Sequence, residues 1–186
     1  MSRFAITDTP LASLKVIERR RLQDDRGFLS RLFCGEELGA AGWHAPIAQI
    51  NHTLTRRRGA LRGMHFQQAP HAEMKLVNCI RGEVFDVAVD LRAGSPTFLR
   101  WHAERLSPDN GRAMLIPEGF AHGFQALTDD CELVYLHSHA YVPSSEGGVN
   151  AQEPRIGIEW PLPVTDQSDR DRGFALLSAA YPGLTA

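Results

Sequence analysis

Hydrophobic and polar residues alternate along the stretch EVFDVAVDLR, residues 83–92. The odd-numbered positions from 85 to 91 are all apolar, whereas the even-numbered positions include Asp86 and Asp90. A period of two residues is that of a β-strand, whose side chains point alternately to opposite faces. The pattern therefore predicts a strand with one apolar face and a second face that meets water or a polar site.

Similar short runs recur through the middle of the chain, in the order IAQINHTL, LRGMHF, MKLVNCI, FLRWHAERL, AMLIP and CELVYLHSHAY. Turn-forming residues separate them, as in RGE, AGSP, SPDNG, PEG and TDD. Only GEELGAAG, residues 35–42, predicts a helix, and it is brief. Short strands at such regular spacing are typical of an antiparallel sandwich or barrel.

The length of 186 residues predicts one domain, 1–186, with a hydrophobic core large enough to be stable without disulfide bonds or a structural metal. From YVPSSEGG onward the chain becomes Pro-rich and irregular, and we expect the tail, 150–186, to wrap the barrel as ordered loop. No apolar run approaches the roughly 20 residues of a membrane span, and the first residues lack the apolar stretch of a signal peptide.

Charge and cysteine content narrow the classes of function. The net charge is −2, which gives no electrostatic reason to expect binding to nucleic acid or to an anionic membrane. The three cysteines, Cys34, Cys79 and Cys131, are far apart and odd in number, so they offer neither a C-x-x-C pair nor a disulfide framework. We therefore expect reduced thiols and a cytoplasmic protein.

Two stretches of the chain share one spacing. In GALRGMH, Gly59 and His65 are separated by five residues, and Gly82 closes the stretch. In GRAMLIPEGFAH, five residues again separate Gly111 from Pro117. These stretches resemble the two motifs of the cupin superfamily. The resemblance implies an all-β fold, a cupin-type double-stranded β-helix (jelly-roll) barrel with short peripheral helices.

Metal-binding cupins carry His-x-His in the first motif and a glutamate seven residues before its closing glycine. Here Gln67 occupies the second histidine position and Lys75 the glutamate position. An ammonium group has no lone pair to offer and repels a divalent cation. His71 and Glu73 are nearby, but His71 follows Pro70 in a predicted turn. We therefore expect no metal, and the family resemblance described next implies no other cofactor.

Further motifs extend the resemblance over nearly the whole chain, in order: DDRGF, QINHT, LRGMHFQ, MKLV, GEVFDVAVDLR, SPTF, IPEGFAHGF, YVPSSEGG, IGIEWP and SDRD. In this set the chain resembles the dTDP-4-dehydrorhamnose 3,5-epimerase family. The resemblance implies a nucleotide-linked 4-keto-6-deoxyhexose as substrate. The C4 ketone makes the hydrogens on C3 and C5 acidic, so epimerisation needs a base, a cation at O4 and an acid on the opposite face.

The resemblance assigns a catalytic role to four residues. His65 would remove the C3 and C5 protons, and Tyr135 would return a proton from the opposite face. Lys75 would stabilise the enolate oxygen. In the family an aspartate of the tail pairs with the histidine, and the pattern Ser-x-Lys-Asp places it at Asp171, with Asp169 as the off-register alternative.

The resemblance also implies a set of substrate contacts. Arg62, Arg26 and His122 are expected at the diphosphate, for which a guanidinium fork is well suited. Four more residues fall on family positions that line the pocket: Gln49, Asn51, Tyr141 and Glu146. The arginines at 56–58 are expected in a solvated turn.

The chain departs from the family near the expected nucleotide base. Leu22 and Ala140 stand where aromatic residues are common, and Arg31 stands where a glutamate is common. Thymine N3 carries a hydrogen and seeks an acceptor, whereas cytosine N3 is an acceptor and would favour a donor such as arginine. Two interpretations stay open: a CDP-linked or other non-dTDP substrate, or an Arg31 that faces solvent or a diphosphate.

Three other functions are alternatives to the 3,5-epimerase. A mono-epimerase acting at C3 or C5 alone would use the same residues. A nucleotide-sugar-binding cupin without activity would not need a base and an acid across one carbon, and a metal-dependent cupin is disfavoured by Gln67 and Lys75.

The family resemblance also implies a homodimer in which FAITDTPLASLKVIERR crosses to the partner, with Arg26 serving the neighbouring site.

Overall fold

The computed structural model describes residues 2–185. Within that range there are thirteen strands: β1 (Phe4–Asp8), β2 (Lys15–Arg19), β3 (Leu22–Asp24), β4 (Gly27–Leu29), β5 (Gln49–Thr55), β6 (Leu61–Gln67), β7 (Lys75–Arg81), β8 (Val84–Asp90), β9 (Trp101–Leu106), β10 (Arg112–Ile116), β11 (Phe120–Ala126), β12 (Cys131–His137) and β13 (Glu146–Gly148). Two short helices, α1 (Gly35–Gly39) and α2 (Asp169–Arg172), and a 3-10 turn (Pro143–Ser145) complete the elements.

Two antiparallel sheets face each other and form the barrel. The first sheet has six strands in the order β1-β2-β10-β7-β12-β5, and the second has five in the order β13-β6-β11-β8-β9. Neighbours in both sheets are mostly far apart in sequence, as the long connections of a jelly roll require. The predicted all-β jelly-roll barrel is confirmed.

The core fills the space between the sheets and also covers both outer faces. Between the sheets lie apolar side chains such as Val77, Met114 and Phe124. The outer face of the first sheet packs against α1 and its flanks, where Leu38 and Trp43 are buried. On the outer face of the second sheet, residues of β6, β8 and β11 pack against the C-terminal tail, in a cluster that includes Val149, Ala151 and Ile156. The tail is therefore part of the hydrophobic core.

The strand predicted from the alternation in residues 83–92 is present as β8. Its polar face does not meet water. Val87 and Val89 pack outward beneath the tail, and Ala88 points into the barrel. Asp86 and Asp90 are both completely buried, each with polar partners. The face with the aspartates therefore meets polar sites within the protein.

Strand β11 is not among the strands predicted from the alternation of apolar and polar residues. All seven of its residues are buried, because β11 lies between β6 and β8 and both of its faces are covered. A strand buried on both faces shows no apolar–polar alternation, so its pattern alone does not reveal it. The helix predicted over 35–42 is present but ends at Gly39.

The N-terminal strands β1 and β2 pair with each other, and β2 pairs with β10 of the same chain. The hairpin β3–β4 stands apart from both sheets and exposes Leu22, Phe28 and Leu29. Both helices in residues 2–185 are far too short to cross a bilayer.

Candidate active site

His65 and Asp171 meet where the C-terminal tail crosses the second sheet. The Nε2 atom of His65, on β6, lies 2.8 Å from Oδ1 of Asp171, on α2. The other carboxylate oxygen of Asp171 accepts a hydrogen bond from the Gly63 backbone N–H at 3.0 Å, and the Ser168 hydroxyl caps α2 by accepting from the Asp171 N–H. Asp169, the off-register alternative, is almost fully exposed and pairs with Arg172.

The charge of Asp171 follows from its hydrogen bonds. Burial by itself raises the pKa of this carboxyl, but the hydrogen bonds from His65 and from the Gly63 N–H outweigh burial and lower the pKa to about 2. An ionised carboxylate only accepts hydrogen bonds, so His65 Nε2 carries the hydrogen in the neutral imidazole. The unprotonated nitrogen of His65 is therefore Nδ1, which is the atom available as a base.

Two glycines allow β6 and β11 to approach closely beside this pair. Gly63 has φ of +119°, and a β-carbon there would lie 2.6 Å from the Cα of Gly123. At Gly123, a β-carbon would lie 2.5 Å from the sulfur of Met64. The register between the two strands also shifts next to His122. The irregularity exposes the Gly63 N–H to Asp171, which fixes the orientation of His65.

Lys75 and Tyr135 lie on the first sheet, on β7 and β12, opposite His65 on the second. The Lys75 ammonium lies 3.2 Å from the Glu73 carboxylate and 3.5 Å from the backbone carbonyl of His65. Burial raises the pKa of Tyr135, and the nearby Asp86 carboxyl adds to that rise. The phenol is therefore neutral at physiological pH and able to donate its proton.

His122 forms a second histidine–aspartate pair directly beside the first. It is the cross-strand partner of His65, and its Nε2 lies 2.7 Å from Oδ1 of Asp86. Burial raises the pKa of Asp86, and the interactions with His122 offset only part of that rise. Among residues 2–185, nothing forms a hydrogen bond with Asp86 Oδ2.

The rim of the site is a connected polar network. The Tyr141 hydroxyl donates to Glu146 at 2.7 Å, and Arg170 donates to both oxygens of the same carboxylate. Arg170 NH2 also lies 3.1 Å from Nε2 of His65, a nitrogen that already carries a hydrogen, so this contact places a cation beside the imidazole without a hydrogen bond.

These walls enclose a cavity of about 320 Å³, within the usual size range of ligand sites. Eight of the residues predicted from the sequence line it: Asn51, Arg62, His65, Lys75, His122, Tyr135, Tyr141 and Glu146. An adjoining cleft of about 570 Å³ shares Arg62, His65 and Arg170 with the cavity and is also lined by Arg56 and Arg57. A small polar cavity thus opens into a larger cationic cleft.

Gln49 lies behind the cavity wall, where it donates to Asn51 and accepts from the Tyr141 N–H. Two further predicted residues are not brought to the cavity of the same chain. Arg26 is exposed on the β3–β4 hairpin and pairs with Asp24. Arg31 forms an ion pair with Glu37 at 2.6 Å, so its guanidinium is neutralised by a carboxylate of the N-terminal region.

Four ionisable residues in or beside the cavity were missing from the predicted set: Asp86, Glu73, His137 and Arg170. Strand periodicity could have indicated His137, two positions after Tyr135, and Glu73, two positions before Lys75, because such residues share a face. Asp86 was noted only as a polar strand residue. Arg170 stands at the lysine position of the pattern Ser-x-Lys-Asp, and that match could have indicated a functional cation.

Gln67, in the position of a cupin metal ligand, uses its amide to hold loops together. Its Oε1 accepts from the Val142 N–H, and its Nε2 donates to the carbonyls of His71 and Ala140. Across residues 2–185, no three histidine, cysteine, aspartate or glutamate side chains are grouped so as to hold a metal ion. The site offers acid–base chemistry from its own side chains.

Comparison with known proteins shows similarity over most of the chain. The sequence profile described as dTDP-4-dehydrorhamnose 3,5-epimerase matches residues 8–179. A dTDP-4-dehydrorhamnose 3,5-epimerase from Shigella flexneri is 41% identical over 95% of this chain and 98% of its own length.

Solved structures agree with the sequence matches. The dTDP-6-deoxy-D-glucose-3,5-epimerase from Legionella pneumophila, in complex with dTDP-4-keto-L-rhamnose, superposes with a TM-score of 0.91 at 36% identity, covering 98% of both chains. A 3'-monoepimerase from Streptomyces bikiniensis, in complex with dTDP-quinovose, has a TM-score of 0.84 at 37% identity, covering 90% of this chain and 85% of its own.

Proposed function

This chain belongs to the dTDP-4-dehydrorhamnose 3,5-epimerase family, and from that premise we propose that it epimerises a dTDP-linked 4-keto-6-deoxyhexose at C3 and C5. The reaction is an isomerisation in deoxysugar biosynthesis, and it proceeds through an enolate. It requires only proton transfers, for which the side chains of the cavity are sufficient.

The proposed mechanism begins at His65. Nδ1 removes the proton from C3, and Asp171 stabilises the resulting imidazolium through Nε2. The electron pair moves onto O4, where the Lys75 ammonium stabilises the enolate. Tyr135 then donates its phenolic proton to the carbon from the opposite face. Proton exchange with water returns His65 to the neutral base and Tyr135 to the phenol, and the same sequence at C5 then gives the second inversion.

One observation carries this proposal: the base His65 and the acid Tyr135 are on opposite sheets and face one cavity that Lys75 also lines, and Asp171 contacts His65 from α2. Inversion of a carbon centre needs a base on one face and an acid on the other. A site that only bound nucleotide sugars would need neither.

For the substrate contacts, we propose that the sugar occupies the smaller cavity and that the diphosphate reaches the cationic cleft through Arg62. His122 is buried beside His65. We therefore propose that it contacts the diphosphate at the phosphate nearest the sugar. The guanidinium of Arg170 bridges the cavity and the cleft.

Proton NMR in deuterated water tests the function directly. Incubation with dTDP-4-keto-6-deoxyglucose should place deuterium at C3 and C5, and the His65→Asn variant should place it at neither. If the wild-type protein exchanges no hydrogen with the dTDP, CDP or GDP form of the sugar, it is not an epimerase. Faster exchange of the CDP sugar would favour the alternative substrate suggested by Arg31.

A mono-epimerase is the second candidate, and the similarity to the Streptomyces bikiniensis 3'-monoepimerase favours keeping it. The same base, cation and acid would serve a single inversion. Deuterium at C3 alone, with C5 fully protonated after long incubation, would identify that activity.

We also propose a homodimer in which the β3–β4 hairpin reaches the partner and Arg26 contributes to the neighbouring site. The exposed Leu22, Phe28 and Leu29 support an interface at this hairpin, because apolar residues grouped on a surface mark contact sites. Exchange of β1 and β2 stays a prediction, since this chain pairs them with its own sheet. Mixing Arg26→Ala and His65→Asn subunits should restore activity that each lacks alone, and a monomer on gel filtration would contradict the dimer.

A cytoplasmic location is part of the same proposal. It is supported by the free thiols of Cys34, Cys79 and Cys131, two of which are buried. Fractionation of cells that produce the tagged protein would test it.

A further inference from the structure

We propose that Glu73 and His137 are positioning residues for Lys75, and that they hold its ammonium where the substrate oxygen O4 must bind. This inference rests on the proposed epimerase function and assigns a role to two residues outside the family-derived set of catalytic and binding residues. Both belong to the cavity wall that carries Tyr135.

Strand register brings the three residues together. His137 on β12 is the direct cross-strand partner of Lys75 on β7. Directly opposed residues of antiparallel strands project from the same face and are close enough for their side chains to interact. Glu73, two positions before Lys75, reaches the same face, and its two oxygens lie 3.2 Å from Lys75 Nζ and 2.8 Å from His137 Nδ1.

The hydrogens of the ammonium group define where O4 can bind. Lys75 has three N–H donors. The ammonium faces two acceptors of the protein: it forms an ion pair with the Glu73 carboxylate at 3.2 Å and donates to the His65 carbonyl at 3.5 Å. These two contacts hold the ammonium on one side and restrict the directions in which its remaining N–H can meet the substrate. Without Glu73, the flexible four-carbon side chain of Lys75 would have one anchor and a wider range of orientations.

The carboxylate is itself held in place by His137. Burial raises the pKa of Glu73, but the hydrogen bond from His137 and the charge of Lys75 outweigh burial and lower it. An ionised Glu73 accepts from His137 Nδ1–H, so Nε2 of the neutral imidazole can accept from the Asn51 amide 3.3 Å away. All three side chains are nearly buried, with 8–11% exposed.

The chain provides a matched control in the same sheet. His52, Glu132 and Arg81 form an equivalent group, with the carboxylate 2.9 Å from the histidine and 3.2 Å from the cation. That group is outside the cavity, and its histidine and arginine are more than half exposed. A variant at Glu132 therefore tests loss of a similar ion network without contact with the active site.

The experiment measures kcat and KM for epimerisation of dTDP-4-keto-6-deoxyglucose by the full-length protein. Glu73→Gln is expected to lower kcat by about 10- to 100-fold, the range seen when an outer partner that orients a functional group is lost. KM should change little, because the interaction with O4 strengthens as the enolate forms. Glu132→Gln should leave both constants unchanged.

A double-mutant cycle separates positioning from general stability. If Glu73 acts through Lys75, Glu73→Gln should have no further effect on kcat in a Lys75→Met background. Equal effects in both backgrounds, or wild-type kcat for Glu73→Gln, would overturn the proposal. If the wild-type protein exchanges no substrate hydrogen with deuterated water, the proposed function itself is overturned.

His137 provides an independent test that leaves the carboxylate intact. His137→Gln can still donate to Glu73 and accept from Asn51, whereas His137→Leu can do neither. We expect the glutamine variant to keep most of the kcat that the leucine variant loses, at similar melting temperatures. Equal kcat in the two variants would show that these hydrogen bonds do not position Lys75.

Discussion

Two histidine–aspartate pairs, His65–Asp171 and His122–Asp86, lie side by side, with their histidines on adjacent strands of one sheet, and the protein shifts the pKa values of the two carboxyls in opposite directions. Asp171 receives hydrogen bonds from a backbone N–H as well as from its histidine, and its pKa falls to about 2. Within residues 2–185, the Asp86 carboxyl forms a hydrogen bond only with its histidine, and burial raises its pKa.

The difference shows that residue types alone do not define a role. The proposed base has a carboxylate whose charge is stabilised by the Gly63 N–H, so Asp171 can stabilise the imidazolium that forms when His65 accepts a proton. In the second pair the charged form of Asp86 is disfavoured, so His122 has a weaker counter-charge. This contrast supports the proposal that His65 abstracts the proton and that His122 contacts the substrate.

The largest expected effect separates the two histidines. His65→Asn should lower kcat by about 10²- to 10⁴-fold, which is the usual contribution of a positioned base. His122→Asn should lower kcat by much less, because it removes a contact and leaves the base in place. Steady-state rates for both variants check this, and a larger loss at His122 would reverse the assignment.

A smaller effect is expected at the aspartate of the first pair. Asp171→Asn should lower kcat by about 10- to 100-fold, since it removes the partner that sets the tautomer and orientation of His65. Asp171→Glu, which keeps the charge but displaces it, serves as the comparison. Full activity of Asp171→Asn would show that the carboxylate neither orients His65 nor stabilises its imidazolium.

The smallest expected effect is on the pH dependence of the free energy of unfolding. The contributions of Asp171 and Asp86 to this free energy change in opposite directions with pH. The folded pKa of Asp171 is below the ordinary value of 3.8, so its stabilisation is present above about pH 4 and is lost as the pH falls toward 2. With its pKa near 2, Asp171 should contribute about 2 kcal/mol at neutral pH. The folded pKa of Asp86 is raised, so its contribution is favourable below about pH 4 and is lost as the pH rises through the folded value.

Urea unfolding between pH 2 and pH 7 measures both contributions. The stability difference between wild type and Asp171→Asn should shrink as the pH falls. For Asp86→Asn, the stability of the wild type relative to the variant should increase in the same direction. Parallel pH profiles for the two variants would contradict the contrast between the pairs.

Local patterns in the sequence predicted much of this molecule. Period-two alternation identified β8, because one of its faces is uniformly apolar. It did not identify β11, whose two faces are both buried. The motifs that resemble the family gave the jelly-roll barrel and the group His65, Lys75 and Tyr135, all of which line one cavity.

The sequence by itself determined the kinds of chemistry available: a histidine base in a framework whose metal-ligand positions hold Gln67 and Lys75. The family resemblance already paired His65 with Asp171, 106 residues away, whereas only the tertiary structure showed that Asp86 serves His122, because 36 residues separate the two and no motif links them. The tertiary structure also decided the direction in which the pKa of each carboxyl is shifted, and it brought Glu73 and His137 to Lys75. Burial and hydrogen-bond partners set these properties, and both arise only when distant strands pair.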